Sequence, residues 1–175
     1  MKKYELTKET NTLADGTVLH RIRALRDISL YGVKAGDLGG LIEKENNLSQ
    51  SGDAWVSGNA KVYGDAWVYG NAKVSGNAKV SGNADVYGDA EVYGDAKVCG
   101  NADYMVIKNI WSSGRWFTYT RSNKKWAEGC FYGTGEELIK KAYADSELSG
   151  RCYEAIVRAV ETIEAAKAEA IGGAE

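Results

Sequence analysis

Between Gly52 and Ala102 the apolar positions return with a period of six. Valine stands at 56, 62, 68, 74, 80, 86, 92 and 98, and alanine stands two residues before each. Two residues apart on an extended chain is the same side of a strand, so each Ala–Val pair faces one way. Glycine opens every unit at 52, 58, 64, 70, 76, 82, 88, 94 and 100, followed each time by Asp or Asn. That pair is the chemistry of a corner needing positive φ. The unit reads Gly-(Asp/Asn)-Ala-x-Val-y, one short strand and one tight turn. A period of six is too short for helical repeats, propeller blades or leucine-rich repeats. Three units close a triangular coil of eighteen residues, with Val over Val and Ala over Ala inside, and parallel pairing between coils roughly 4.8 Å apart. The nine units predict about three coils, a stack about 15 Å tall.

The flanks lose this period. Residues 3–9 and 17–25 read as strands around Ala14-Asp15-Gly16-Thr17, a hairpin turn, and 28–51 read as irregular first coils. Beyond Ala102, residues 104–111, 115–121 and 125–132 read as antiparallel strands, with turns at Ser112-Ser113-Gly114 and Ser122-Asn123-Lys124. Thr134 with Glu137 is a capping-box pattern opening a helix through about Ala144. A second helix is expected from about Gly150 to Ala170, with Cys152, Ile156, Ala159, Val160 and Ile163 as its buried stripe and Gly172-Gly173 as its stop. The divisions are 1–51, an N-terminal hairpin cap and irregular first coils; 52–103, the regular repeat; and 104–175, a β-meander plus two helices.

Composition narrows the function classes. Lys plus Arg is 22 against 24 Asp plus Glu, a net charge of −2, which excludes a strongly basic nucleic-acid wrapper and a highly acidic DNA mimic. Cys99, Cys130 and Cys152 are widely spaced, odd in number and without a C-x-x-C, which suits reduced thiols in a cytoplasm. Neither a secretory signal nor a membrane-crossing run is expected.

The repeat resembles the hexapeptide-repeat, left-handed β-helix family, in which an aliphatic residue is followed four positions later by a small one, as Val56 is by Ala60 and Val62 by Ala66. The resemblance covers 52–102 and implies a mainly β fold, a left-handed parallel β-helix with a small α+β C-terminal domain. The start Tyr4-Glu5-Leu6-Thr7 and the step Gly36-Asp37-Leu38-Gly39-Gly40 are similar to proteins of bacterial and prophage genomes, some labelled transferases. Polymer-forming cytoskeletal β-helices are a looser likeness. In acyltransferases of this family coenzyme A lies along the coils at a trimer interface and a histidine serves as base. The regular units here hold neither an inserted loop nor a histidine; His20, in the N-terminal hairpin, is the chain's one candidate base under that alternative.

Position x, between Ala and Val, points outward. Residues eighteen apart stack, which puts Lys61, Lys79 and Lys97 in one column, Trp55, Lys73 and Glu91 in a second, and Trp67, Asp85 and Asp103 in a third. Position y sets Tyr69 over Tyr87 and Tyr63 with Ser81 and Cys99. The lysine column could attract an anion or serve as a solvated face. Trp55 and Trp67 either meet a partner, with Tyr63 and Tyr69 beside them, or are covered by the chain's own N-terminal segment. The stretch Arg115 to Trp126 interleaves basic and aromatic residues (Arg115, Trp116, Tyr119, Arg121, Trp126). It is a second candidate protein-binding surface and the one place where a nucleic-acid strand could stack. A half-buried sheet is the plainer reading.

No metal site is expected from one His and unclustered cysteines, and no cofactor apart from coenzyme A under the acyltransferase alternative. The leading expectation is a non-catalytic cytoplasmic interaction protein of phage or prophage type, oligomeric, and able by resemblance to bind and inhibit a host defence protein. Acyl transfer is the alternative, nucleic-acid binding a weaker one, and no membrane is involved.

Overall fold

In the computed structural model, which describes residues 2–172, the repeat forms stacked coils of short parallel strands, a β-solenoid of about three turns. The strands are β4 (Trp55–Val56), β5 (Lys61–Val62), β6 (Trp67–Val68), β7 (Lys73–Val74), β8 (Lys79–Val80), β9 (Asp85–Val86), β10 (Glu91–Val92) and β11 (Lys97–Val98). They fall on three faces, β4-β7-β10, β5-β8-β11 and β6-β9. Register is as the period requires, Trp55 on Lys73 on Glu91, Lys61 on Lys79 on Lys97, and Trp67 on Asp85. The inward valines and alanines are buried throughout and form one continuous core. The corners turn through glycines in the left-handed region; at Gly76 (φ 71°) a Cβ would also lie 3.0 Å from the backbone nitrogen of Gly94 one coil on. No other residue fits both demands at low cost.

Outside the corners, the asparagine amides link head to tail, Asn77 Nδ2 donating to Asp95 at 3.2 Å and Asn71 Nδ2 to Asp89 at 3.1 Å. A column can end on Asp because a carboxylate only accepts. This adds a hydrogen-bonding reason for Asp at 89 and 95 to the turn geometry.

The bonds between coils have a direction. The N–H groups of Ser57, Asn59, Lys61 and Tyr63 donate to carbonyls of Val74, Gly76, Ala78 and Val80 in the following coil, and the next coil repeats this. The first coil is left chiefly with unpaired carbonyls and the last chiefly with unpaired N–H groups, each of which would be costly to bury unmet.

The N-terminal segment supplies donors. β1 (Tyr4–Thr12) and β2 (Val18–Ala24) form the expected hairpin; with β3 (Leu38–Ile42) they extend one solenoid face, β3 running parallel to β5 and β2 antiparallel to β3. Leu41 pairs with Lys61 and Leu48 bridges Val68, steps two residues longer than in the regular coils. Lys3 Nζ donates to the Ala54 carbonyl at 2.7 Å, Asn47 Nδ2 to Ala66 at 2.8 Å and Gly64 at 3.1 Å, Arg26 to Gly52 at 2.8 Å and Arg21 to Gly58 at 3.2 Å. Tyr4, Ile22, Ala24 and Ile28 close the mouth over the core.

The C-terminal segment supplies acceptors. Asn101 Oδ1 takes the Asp85 N–H at 2.7 Å, Thr118 Oγ1 the Glu91 N–H at 2.9 Å and Ser122 Oγ the Lys97 N–H at 2.7 Å. Asp103 does not continue its outward column. The repeat breaks there into a short 3-10 turn, and its carboxylate accepts from Cys99 and Gly100 at 2.8 and 3.1 Å. The meander is β12 (Tyr104–Lys108), β13 (Trp116–Thr120), β14 (Lys125–Glu128) and β15 (Phe131–Gly133), antiparallel in that order. The single strand expected over 125–132 is two, folded at Gly129, whose φ is 55°.

Both faces of β13 are covered. Thr118 and Thr120 are buried, Thr118 bonded to the last coil, while Phe117 and Tyr119 pack with Trp126 against the helices. α1 (Gly135–Asp145) opens with the predicted capping box, Thr134 Oγ1 accepting from Glu137 N at 3.2 Å and Glu137 accepting from Thr134 N at 2.6 Å. α2 (Glu147–Gly172) begins three residues before the expected start, and its core stripe is Tyr153, Val157 and Val160, with Cys152 and Ile156 at the margin. Ala159 and Ile163, assigned to that stripe from spacing, are exposed because the side of α2 that meets the sheet runs through Tyr153, Val157, Val160 and Glu164, roughly 100° round the helix from them. Of the expected stop, Gly172 is the last residue of α2 and Gly173 lies outside the described residues. Among the described residues no helix is long and apolar enough to cross a membrane.

Each edge generates a prediction. Thr118→Val keeps the shape of the side chain but strands the Glu91 N–H, and should cost about 1–3 kcal/mol in urea unfolding. At the other edge Lys3 is 0% exposed, and burial, aided by Arg26, lowers its pKa from 10.5 to about 8. The unfolded chain keeps that proton over a range where the folded chain has lost it. Stability should therefore rise between about pH 8 and about pH 10, by up to about 2 kcal/mol relative to Lys3→Met. Above pH 10 the buried Tyr4 hydroxyl, whose pKa is pushed up by burial, reverses the trend. A slope equal in wild type and Lys3→Met would refute this assignment.

Candidate docking surface

The three outward columns have different fates. Trp55, at an outward position of the repeat, is 1% exposed and belongs to the core. The Gly39-Gly40 step crosses it so closely that a Cβ on Gly39 would sit 2.7 Å from its ring. Of the two readings of the tryptophans, self-packing holds for Trp55, which is removed from the candidate binding residues.

The lysine column stands as the register requires. Lys61 Nζ donates to Asn11 Oδ1 at 2.8 Å, and among the described residues none of Lys61, Lys79 and Lys97 lies in an ion pair. Tyr63 is half-buried on the same face, and Ser81 Oγ reaches Cys99 Sγ at 3.5 Å in its column.

The basic-aromatic hairpin is mostly interior. Tyr119 and Trp126 are buried, their rings 5.0 Å apart. Arg121 is held by the Glu164 carboxylate at 2.8 and 3.0 Å, with Asp103 at 3.9 Å, and these carboxylates raise its pKa. Alternation alone would leave one face of β13 open, but the last coil occupies it. Tyr119, Trp126 and Arg121 therefore leave the open surface and line, with Val160 and Glu164, a cleft of about 550 Å³ beside α2, while Arg115 and Trp116, where β13 begins, remain on that surface.

On the third face the aromatic residues assemble. Trp67 is 43% exposed and stacks on Tyr69, centroids 4.0 Å apart, and Tyr69 stacks on Tyr87 of the next coil at 5.2 Å and 11° between planes. The ladder spacing thus becomes a stack of rings. Burial raises the Tyr69 pKa, with Asp85 adding to it. Tyr87, 49% exposed, begins a recess of about 350 Å³ that continues over Asp89, Asn101, Tyr104, Val106 and Trp116. The Tyr104 hydroxyl donates to the Asp85 carbonyl at 2.8 Å, which fixes β12 against this corner. Asp89 and Trp116 also line a neighbouring recess of about 240 Å³ with Leu30, Tyr31, Glu91 and Arg115.

Behind that second recess, the Lys73 ammonium lies over the rings of Tyr31 and Tyr93 at 4.9 and 5.6 Å. Burial raises the Glu91 pKa, against the pull of Tyr93, Lys73 and the Gly129 N–H, which donates to it at 3.2 Å. The Tyr31 hydroxyl also donates to the Asn71 carbonyl. These contacts lock the N-terminal segment onto the coils.

A third recess, about 510 Å³, lies between the meander and the helices. There Tyr153 donates to Glu128 at 2.6 Å and accepts from Asn109 at 3.0 Å; burial and the Glu128 carboxylate push its pKa up. His20 is half-buried with Nδ1 3.4 Å from the Thr7 carbonyl and lines none of these recesses. Among the described residues no three His, Cys, Asp or Glu are placed to hold a metal ion.

The geometry therefore collects Trp67, Tyr69 and Trp116 from the sequence candidates and adds Tyr87, Asp89 and Tyr104. Tyr87 was visible as a stacking partner. Asp89 looked like any other corner residue, and Tyr104 joins through the way β12 crosses the corner, for which no local signal exists. No protein-family model matches this chain, and no curated protein is significantly similar to it.

The two repeat tryptophans provide a direct check. Trp55→Ala empties a buried site and should cost about 3–5 kcal/mol, whereas Trp67→Ala should change unfolding by no more than about 1 kcal/mol. Comparable losses would mean that Trp67, too, is structural.

Proposed function

We propose that the protein is a non-catalytic docking module whose contact surface is the aromatic ridge Trp67–Tyr69–Tyr87 and its continuation to Trp116. We read the solenoid as a left-handed β-helix of the hexapeptide-repeat kind, and the protein as a cytoplasmic, oligomeric one of phage or prophage type that binds a bacterial protein and blocks it. The observation that carries docking is the exposure of stacked rings on a rigid scaffold. Large aromatics bring contact area at little entropic cost because the stack already holds their rotamers. A monomer gains little from leaving Trp67 and Tyr87 in water, whereas interface centres are enriched in these residues. The ridge offers contact area but no nucleophile paired with a base, as covalent catalysis would require.

The test is a tagged capture from bacterial lysate at moderate salt, comparing wild type with Trp67→Ser/Tyr87→Ser. One protein retained in near-equal amount by wild type and lost by the double variant, with the melting temperature unchanged, is the expected result. Equal capture by both would move the surface elsewhere. No capture, together with a rise in melting temperature on adding coenzyme A, would replace docking with the acyltransferase reading.

A further inference from the structure

We propose that the recess walled by Tyr87, Tyr104 and Trp116 over Asp89 is a binding site for a guanidinium or ammonium side chain of the docked partner, arginine before lysine. This rests on the docking reading and names the chemistry of its occupant. Three observations converge. The first is charge. Asp89 ends its corner column, its Oδ1 taking one hydrogen bond from Asn71 at 3.1 Å, and among the described residues it lies in no ion pair, nor does Asp85 beside the ridge. Beside the phenols the polar side chains of the lining are Asp89 and Asn101; no cation lines the recess.

The second is the rings. Tyr87, Tyr104 and Trp116 line the same recess as Asp89, and an aromatic face attracts a cation through its quadrupole, most strongly for tryptophan. The third is precedent within the same molecule. One corner away the chain builds the filled version of this arrangement, with Lys73 between Tyr31 and Tyr93 and Glu91 near it. Trp116 itself already draws a cation, the Lys108 ammonium 5.4 Å from its ring. The recess beside Tyr87 repeats the rings and the carboxylate without the lysine. Its volume of about 350 Å³ accommodates one long side chain. Arginine fits better than lysine because its planar fork can stack on a ring while meeting a carboxylate with two hydrogen bonds. Lys108, on Trp116, and Arg115, in the adjoining recess, do not line this one.

The experiment is an NMR titration of the isolated protein with N-acetyl-arginine methylamide, its neutral isostere N-acetyl-citrulline methylamide, and methyl glucoside. The Trp116 indole signal is assigned through Trp116→Phe. Saturable shifts of that signal and of Tyr87 by the arginine compound, with the citrulline compound about tenfold weaker, are expected. Asp89→Asn, which installs the residue the repeat already uses at Asn71, should bring the two compounds level. Equal affinities in wild type, no shift at all, or shifts from the sugar alone would overturn the assignment, the last in favour of a carbohydrate. If the arginine compound fails while Trp67→Ser/Tyr87→Ser still loses its captured protein, this inference falls and docking stands. If the arginine compound binds as expected while no captured protein depends on the ridge, the site stands and the docking surface must be sought elsewhere.

Discussion

The constraint on which the rest of this molecule depends is the direction of the hydrogen bonds between coils. In a parallel stack of short strands and corners, the N–H groups at the corners, at the outward positions and after each valine lean the same way. The two ends of the solenoid are therefore chemically different, one an edge of acceptors and the other an edge of donors. This is the problem of helix termini spread over a triangle. Neither end can be left open, since bare strand edges invite other chains. Neither cap can serve at the other end: the first must bring N–H and ammonium groups, the second hydroxyls, amide oxygens and carboxylates. Lys3, Arg21, Arg26 and Asn47 sit before the repeat, Asn101 and Asp103 at its last step and Thr118 and Ser122 after it, each on the side its chemistry requires.

The caps also decide what remains available on the surface. The N-terminal segment buries Trp55, and its Tyr31 shares Lys73 with Tyr93. The C-terminal meander buries one face of β13 on the coils and the other on the helices, which leaves Tyr119, Trp126 and Arg121 open only to the cleft beside α2. Between the two caps one stretch of wall keeps its aromatics in solvent. A surface that survives two independent coverings, and is then lengthened by Tyr104 and Trp116 from one of them, is a better candidate for contact than any list of aromatic residues drawn from composition.

The interior of the coils was fully legible in the sequence, because a period of six with Val, Ala and Gly at fixed offsets leaves one inward face and one corner residue. The register of the outward columns followed directly, as Tyr69 on Tyr87 and Lys61 on Lys79 show. What could not be read is where an outward residue meets something non-local. Trp55 and Trp67 occupy identical positions in the repeat, and only the path of Gly39-Gly40 separates a core residue from an exposed one. The same applies to Asp103, which has the spacing of a column residue but lies where the last N–H groups need an acceptor. On α2, spacing alone favoured Ile163 over Tyr153, since two apolar stripes share the helix and only the position of the sheet decides which one is covered.

The stacking that makes the ridge rigid also sets what it can recognise. With Trp67, Tyr69 and Tyr87 face to face, the inner ring, Tyr69, has its π faces occupied and offers mainly its edge and hydroxyl. The open ring faces lie at the end of the stack, where Tyr87 meets the recess with Tyr104 and Trp116. An aromatic face in water is a weak attractor of cations, and a neighbouring carboxylate in a partly dry recess strengthens the same preference. Asp89 is placed there by the corner column: Asn71 below it donates an amide, and the carboxylate that accepts it has lone pairs to spare. The repeat that stacks the core thus also delivers an acceptor and open ring faces to a single recess, at the level where the coils stop and the cap begins.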